Sequence, residues 1–384
     1  MAPLSQGKGE VVRIPVVLIV AAVLSWTSGA CAQSSRDPLL IGQSAAITGS
    51  QAEFGKEIRD GANAYFESVN RQGGIHGRPI RLVTLDDAGS PDKAKENAAR
   101  LITEERVLAL FGFISRPSSV AGAKIASEAK VPFLGPFSGT PALYKFDPYV
   151  FTVRASYDDE LAAMVHQLVE TGHRKIGFAY LNDARAVNVP LVEKLLAQHQ
   201  LKPAVLIGVD RASGEVGAQA KELAKANPDA LLALANNLPL TALTREARKL
   251  GNTTPFWIVS FVDSKLMVKE LGPEAAGQVF AQVVPLPTKR RARIVKDYQR
   301  DYQAAFPGAP LSFTSFEGYI SARVLAEGLR KAGTNPTRER VVKGLEAIGN
   351  MDLGDFWVNY SDKKHNGSAF VDLTIVNKNG NFLD

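Results

Sequence analysis

A single cysteine, Cys31, stands in a chain of 384 residues. One thiol cannot close a disulfide within the chain or build a cysteine-based metal site. Histidine is almost as scarce, with five residues at 76, 166, 173, 199 and 365. Their spacing matches no metal-ligand pattern. No G-x-S-x-G elbow is present, and no G-x-G-x-x-G follows a strand pattern. GSQAEFGKE (49–57) looks like a phosphate loop, but five residues separate its glycines and Glu57 replaces the hydroxyl residue. A phosphate would meet a carboxylate there, so that reading is excluded. Hydrolase and transferase chemistry therefore lacks a visible nucleophile, base or metal.

Long apolar runs are also missing. Ile14–Leu24 (IPVVLIVAAVL) is too short to span a bilayer. Lys8 and Arg13 precede it, and SWTSGACAQ follows, with Ala30 and Ala32 in an A-x-A arrangement. This is the pattern of a secretory signal peptide over residues 1–32, cut after Ala32. Rival readings are acylation of Cys31, for which Ser28 replaces the customary leucine, and a retained membrane anchor. Cleavage after Ala32 removes the only cysteine. Stability must then come from the core, which about 350 residues can supply.

Neither sign of charge dominates. Lysine plus arginine number 45 and the acids 39, a formal charge of +6 that falls to about +5 without residues 1–32. The densest basic cluster, TKRRAR (288–293), reads as the solvated opening of a helix. It has no interleaved aromatics, which argues against nucleic acid.

What the chain does have is alternation. LLIGQSA (39–45), PIRLVTLDD (79–87), VLALFGF (107–113) and VPFLGP (131–136) read as short strands, separated by helical patterns. In the first helix Ile58, Ala62, Tyr65, Phe66 and Val69 share one face, and Gly73-Gly74 stop it. Ser90 caps the second, with Pro91 in its first turn. The pattern restarts after FTVRASYDDE (151–160), with strands at 175–181, 204–210, 230–236 and 256–261. VFAQVVPLP (279–287) reads as a strand and a proline-rich return. Helices are expected over 289–305, 313–332 and 337–348, then an antiparallel pair from DFWVNYS and AFVDLTIVN. Such alternation predicts two successive α/β units with parallel sheets. Asp86-Asp87, at a strand end before a capped helix, reads as a turn pair rather than paired catalytic acids. In open α/β sheets ligands sit at the carboxyl ends of strands, and those ends carry SAAITGSQAEFG, SRPSS, PFSGTP, NDARAVN and NNLP.

IGQSAAITGSQAEFGKEIRDGANAYFESVNRQGGIHGRPIRLVTLDDAGSP, followed by PFSGTPAL, FTVRASYDDE and FEGYISARVLAEGLRKAG, resembles the substrate-binding proteins of branched-chain amino-acid-type (Leu/Ile/Val-binding family) ABC transporters. The similarity covers about 37–384. It implies an α/β fold of two Rossmann-like lobes with mostly parallel sheets, joined by a three-segment hinge: the type I periplasmic-binding-protein fold. Lobe 1 is expected over 37–155 plus 286–354, lobe 2 over 156–285 plus 355–384. Crossings are expected near Arg154–Tyr157, Val284–Pro287 and Leu353–Phe356. The loops gripping a ligand carboxylate map to Ser115, Arg116 and Ser118 and to Phe137, Ser138, Gly139 and Thr140. Phe54 supplies the first-lobe aromatic. The second lobe offers Arg185, Asn236, Asn237 and Phe261. The ammonium clamp of amino-acid binders falls at Ser260-Phe261-Val262, with Asp263 only marginally placed, which favours an acidic ligand without an α-amino group.

The resemblance implies a periplasmic, monomeric, non-enzymatic solute-binding subunit without cofactor, working with an ABC permease and ATPase on a small organic acid or an amino acid. A sensing domain for a membrane receptor is the alternative. Arg116 has two readings. It either pairs with a surface acid, or it forks onto a ligand carboxylate, with Arg185 approaching from the other lobe.

Overall fold

The computed structural model describes residues 1–4, 7, 9, 37–49 and 51–383. The signal-peptide and Cys31 readings rest on Lys8 to Ala32 and lie outside the described residues.

Five parallel strands form the first sheet: β1 (Leu39–Ala45), β2 (Ile80–Asp86), β3 (Ala109–Phe111), β4 (Phe133–Leu134) and β5 (Val150–Phe151), in the order β2-β1-β3-β4-β5. Helices α1 (Ala52–Arg71), α2 (Pro91–Thr103) and α3 (Arg116–Glu128) connect them. The apolar stripe of α1 is buried, and Gly73 and Gly74 beyond its end take positive φ. Ser90 accepts from the Lys93 N–H at 3.4 Å, capping α2. α3 begins at Arg116. Pro117 suits a first helical turn, so Arg116 is itself helical.

The second sheet contains β6 (Ile176–Leu181), β7 (Leu206–Val209), β8 (Ala230–Leu234), β9 (Phe256–Ile258), β10 (Val279–Gln282), β13 (Asp372–Val376) and β14 (Phe382–Leu383). Its order is β14-β13-β10-β9-β8-β6-β7, and β13 alone runs against the others, pairing antiparallel with both β10 and β14. Helices α4 (Tyr157–Glu170), α5 (Arg185–Ala197), α6 (Gly217–Ala226), α7 (Asn237–Lys249) and α8 (Ser264–Leu271) belong with it. A capping box between Ser156 and Asp159 starts α4. The parallel parts of both sheets share one order, so each has a switch point, β1/β3 in one and β6/β8 in the other.

After β10 the chain returns to the first lobe as α9 (Arg293–Ala305), α10 (Phe313–Lys331) and α11 (Arg338–Glu346). α10 packs along α1 so closely that a Cβ on Gly61 would lie 1.8 Å from the Ser315 carbonyl oxygen. Of TKRRAR only Arg293 enters α9, as its first residue; the rest precedes the helix. The Arg293 N–H donates to Asp355 at 3.1 Å and the Ile294 N–H to the Gly354 carbonyl at 2.9 Å, which fixes the start of the helix.

The tail differs from the expected pair. A two-stranded hairpin joins β11 (Asn350–Asp352) to β12 (Trp357–Asn359), with Leu353–Phe356 as its turn. Val358 and Tyr360 are buried in the first lobe's core, so DFWVNYS stays there while the AFVDLTIVN strand pairs with β10. The chain therefore crosses only between Ser361 and Val371. That segment runs beside the first crossing, where the Thr152 N–H donates to the His365 carbonyl at 2.9 Å. Among the described residues, no helix is long and apolar enough to cross a membrane, and no group of three or more His, Cys, Asp or Glu could hold a metal.

Candidate functional site

The two switch points face each other. Asp86 and Asp87 build the loop after β1 as a turn. Asp86 accepts from the Ile47 N–H at 2.9 Å and from the Thr48 hydroxyl at 2.6 Å, and these bonds hold its pKa down at about 2. The loop leads to Phe54, whose ring meets Phe137 edge-on at 5.1 Å. Phe261 comes from the other lobe and packs on Phe54 at 5.7 Å. These three expected residues form one aromatic cluster across the cleft.

Beyond β3, Ser115 has φ 71° and ψ 156°, a conformation costly for a residue with a side chain. It places Arg116 at the first position of α3. The Ser118 hydroxyl is buried without a hydrogen-bond partner, whereas Ser119 donates to the Phe113 carbonyl at 2.8 Å. Beyond β4, Ser138 lies 3.5 Å from the Tyr157 hydroxyl and receives the Thr140 N–H at 3.4 Å. Gly139 leaves room for Tyr157, because a Cβ there would lie 2.6 Å from the tyrosine's backbone nitrogen. Burial raises the Tyr157 pKa and keeps its hydroxyl protonated as a donor.

Arg116, Thr140, Asn236 and Phe261 line one cavity of about 40 Å³ together with Tyr157, Asn188 and Arg211, which the sequence reading missed. Arg211 stands just after β7 and grips Asp183 with Nη2 at 2.8 Å and Nε at 3.2 Å; its Nη1 reaches Asn236 at 3.3 Å. Arg116 approaches the same Asp183 from the first lobe at 4.0 Å. Two arginines thus converge on one carboxylate, and that carboxylate is the protein's own. An arginine directly after a strand, as in VDR (209–211), is the signal that would have flagged Arg211. Arg185 does not join this group. It is exposed, and its guanidinium lies over the Tyr180 ring at 5.3 Å while bonding the tyrosine hydroxyl. Asn237 exchanges two hydrogen bonds with the Asp263 backbone, at 2.8 and 2.9 Å, and so braces the loops after β8 and β9.

Behind the aromatic cluster lies Arg154, on the first crossing and fully buried. Its guanidinium donates to Glu160 at 2.9 Å and to the Ser260 hydroxyl, and it sits 3.4 Å from Glu317. It also stacks near Phe137 and Tyr157, at 5.4 and 5.7 Å. Glu160 accepts the Ser260 N–H at 2.7 Å as well. Elements of both lobes and the hinge thus share one charged centre.

A family model described as periplasmic binding protein matches residues 38–381. An amino acid binding protein of Pseudomonas aeruginosa is 23% identical over 322 residues, covering 83% of this chain and 84% of its own. A substrate-binding periplasmic protein from Ralstonia solanacearum is 30% identical, with a TM-score of 0.84 over 90% of this chain and 99% of its own. A fatty acid ABC transporter substrate-binding protein from Thermomonospora curvata shares the fold, at 24% identity and a TM-score of 0.78 over 90% of this chain and 91% of its own. Two α/β lobes joined by three crossings, with ligand-type loops at facing switch points, agree with these similarities, and the chain belongs to the periplasmic binding protein family, in its Leu/Ile/Val-binding type.

Proposed function

We propose that this protein is the solute-binding subunit of an ABC importer and captures a small carboxylate-bearing ligand between its lobes. The observation that carries this reading is the convergence of Arg116 and Arg211 on Asp183. A guanidinium fork suits a carboxylate, and the N-terminus of α3 adds a positive dipole end beside it. The unpartnered Ser118 hydroxyl and the strained Ser115 backbone support a site that waits for a ligand. The cleft cavity holds about 40 Å³, too little for an organic acid, so a ligand enters only when the lobes part and Asp183 yields its place. One lobe is taken as 37–155 with 286–360 and the other as 156–285 with 361–384. They move as bodies about the three crossings. The chain is exported after cleavage at Ala32, acts in the periplasm as a monomer, and delivers its ligand to permease and ATPase subunits.

A screen of organic acids, amino acids and aromatic carboxylates by thermal shift tests the binding reading. A ligand at about 100 times its dissociation constant raises stability by about 2.7 kcal/mol. X-ray scattering should then show an apo protein more open than the saturated one. A panel in which no carboxylate stabilises the protein would end this proposal. Mass spectrometry of the exported protein is expected to find Gln33 at the N-terminus, and a diacylglycerol on Cys31 would replace that reading.

A further inference from the structure

The aromatic cluster separates the cleft cavity from a much larger one beside the hinge. Phe137 lines the larger cavity and Phe261 the smaller. The hinge-side cavity has a volume of about 430 Å³, the size of a small-molecule site. Both lobes and the second crossing build it. Val284, Leu286, Phe313 and Phe382 give it apolar walls, and two carboxyl side chains, Glu317 and Asp263, enter those walls.

Neither carboxyl has a cation of its own. Arg154 carries one positive charge, and Glu160 already matches it with a hydrogen bond at 2.9 Å. Glu317 is buried as a second acid beside the same arginine, at 3.4 Å and without a hydrogen bond, while Arg154 Nη1 has no hydrogen-bond partner. A buried carboxyl held so loosely costs stability and returns little. Asp263 caps α8, accepting the Leu266 N–H at 2.9 Å, and lies beside the Lys265 N–H and ammonium, yet its burial outweighs them and raises its pKa. The cation on the wall, Lys265, is 3.9 Å from Glu57 and also faces Asp263, so one positive charge serves two acids. With these acids ionised, the sum over Arg154, Glu160, Glu317, Asp263, Lys265 and Glu57 is two negative charges. The N-termini of α8 and α10 also reach the wall, each contributing about half a positive charge. The cavity stays negative.

We propose that this hinge-side cavity binds the ammonium group of an organic amine with an apolar body, held between Glu317 of the first lobe and Asp263 of the second. A negative, mostly apolar chamber offers acceptors to an ammonium and no free cation to an acid. Its occupant touches both lobes and the second crossing, so it stabilises the closed form without contacting Arg116. The site stands independently of the carboxylate reading of the cleft.

Calorimetric titration of the full mature chain with hexylamine, hexanoate and hexanol tests this. Hexylamine is expected to bind, and the other two to bind at least tenfold more weakly or not at all. Glu317→Gln and Asp263→Asn should each weaken hexylamine binding by roughly tenfold or more, the loss expected for a charge-assisted contact. Asparagine caps helices as well as aspartate, so Asp263→Asn keeps α8 intact, and melting curves verify the fold of both variants. Affinity should also rise from about pH 6 to about pH 8, as Glu317 and Glu57, both raised to about 7 by burial, become ionised. Arg116→Ala should leave hexylamine binding unchanged even where it abolishes carboxylate binding. The proposal falls if hexylamine does not bind the wild-type protein, if the folded Glu317→Gln/Asp263→Asn double variant binds it equally well, if hexanoate is preferred, or if Arg116→Ala abolishes amine binding.

Discussion

Arg154 and Glu160 form an ion pair of 2.9 Å with both side chains buried to within 1% of full exclusion. Arg154 leaves the first lobe at the crossing, and Glu160 lies on the first helix of the second. Removing one member leaves the other charged and dry, which costs about 3–5 kcal/mol. Arg154→Met is therefore expected to lower stability by that amount in urea unfolding. Adding Glu160→Gln and Glu317→Gln should recover part of it. A single variant that loses less than about 1 kcal/mol would show the pair to be dispensable.

Arg116 gives a different outcome. Its contact with Asp183 is long and partly exposed, at 4.0 Å, and such surface pairs contribute about 0–1 kcal/mol. Arg116→Ala should melt like the wild type. Affinity for the cognate carboxylate should nonetheless drop about 10- to 150-fold, because a charge-assisted bond worth roughly 1.5–3 kcal/mol is lost. Lysine should restore only part of it. Unchanged affinity in the folded alanine variant would leave Arg116 as a partner of Asp183 alone.

Asp183 should act in the opposite sense. Its carboxylate competes with a ligand for Arg116 and Arg211. Asp183→Asn removes the competitor's charge and is expected to tighten carboxylate binding, with the gain shrinking in high salt. Weaker binding in calorimetry would make Asp183 a support of the site rather than a rival for it.

The pH dependence of stability follows from two buried acids. Burial raises Glu57 and Glu317 from 4.5 to about 7. Between those values the folded protein holds protons that the unfolded chain has released. Their contribution is fully present below about pH 4.5 and is lost as pH rises through about 7. Asp86, lowered to about 2, acts the other way, but only in acid. The urea midpoint should therefore fall between about pH 5 and pH 8, and Glu317→Gln should reduce the fall. A midpoint that rises over that interval would contradict the sign.

Close packing of α1 on α10 sets a last expectation. A methyl group at Gly61 would overlap the Ser315 carbonyl oxygen at 1.8 Å. Gly61→Ala should cost about 1–3 kcal/mol or more, since backbone must move. Gly217→Ala is the control, because a Cβ there meets nothing within 4 Å, and helical alanine should be neutral or stabilising. Equal melting temperatures for the two variants would mean that the helices can part without loss.

The sequence by itself determined the elements and their kind. Apolar spacing in α1, the Ser90 and Pro91 start of α2 and the continuous apolar runs of β3 and β8 are local features, and each is legible within a dozen residues. Their alternation sufficed for two parallel α/β layers, and the Leu/Ile/Val-type motifs for the family. Pairing was another matter. DFWVNYS alternates like any half-buried strand, and only the burial of Val358 and Tyr360 in the first lobe decided that it joins β11 rather than the strand that follows it. Charge partners were equally hidden. Arg154 meets Ser260 from 106 residues away, and Glu57 meets Ser312 from 255. Arg185 and Arg211 both stand in polar stretches just beyond strand ends, yet one opens α5 and lies over its own lobe's Tyr180, while the other faces Arg116 across the cleft. Periodicity records which face of an element is buried. Which distant side chain then meets a buried or half-buried charge depends on how two lobes and three crossings pack, and only the tertiary structure settles that.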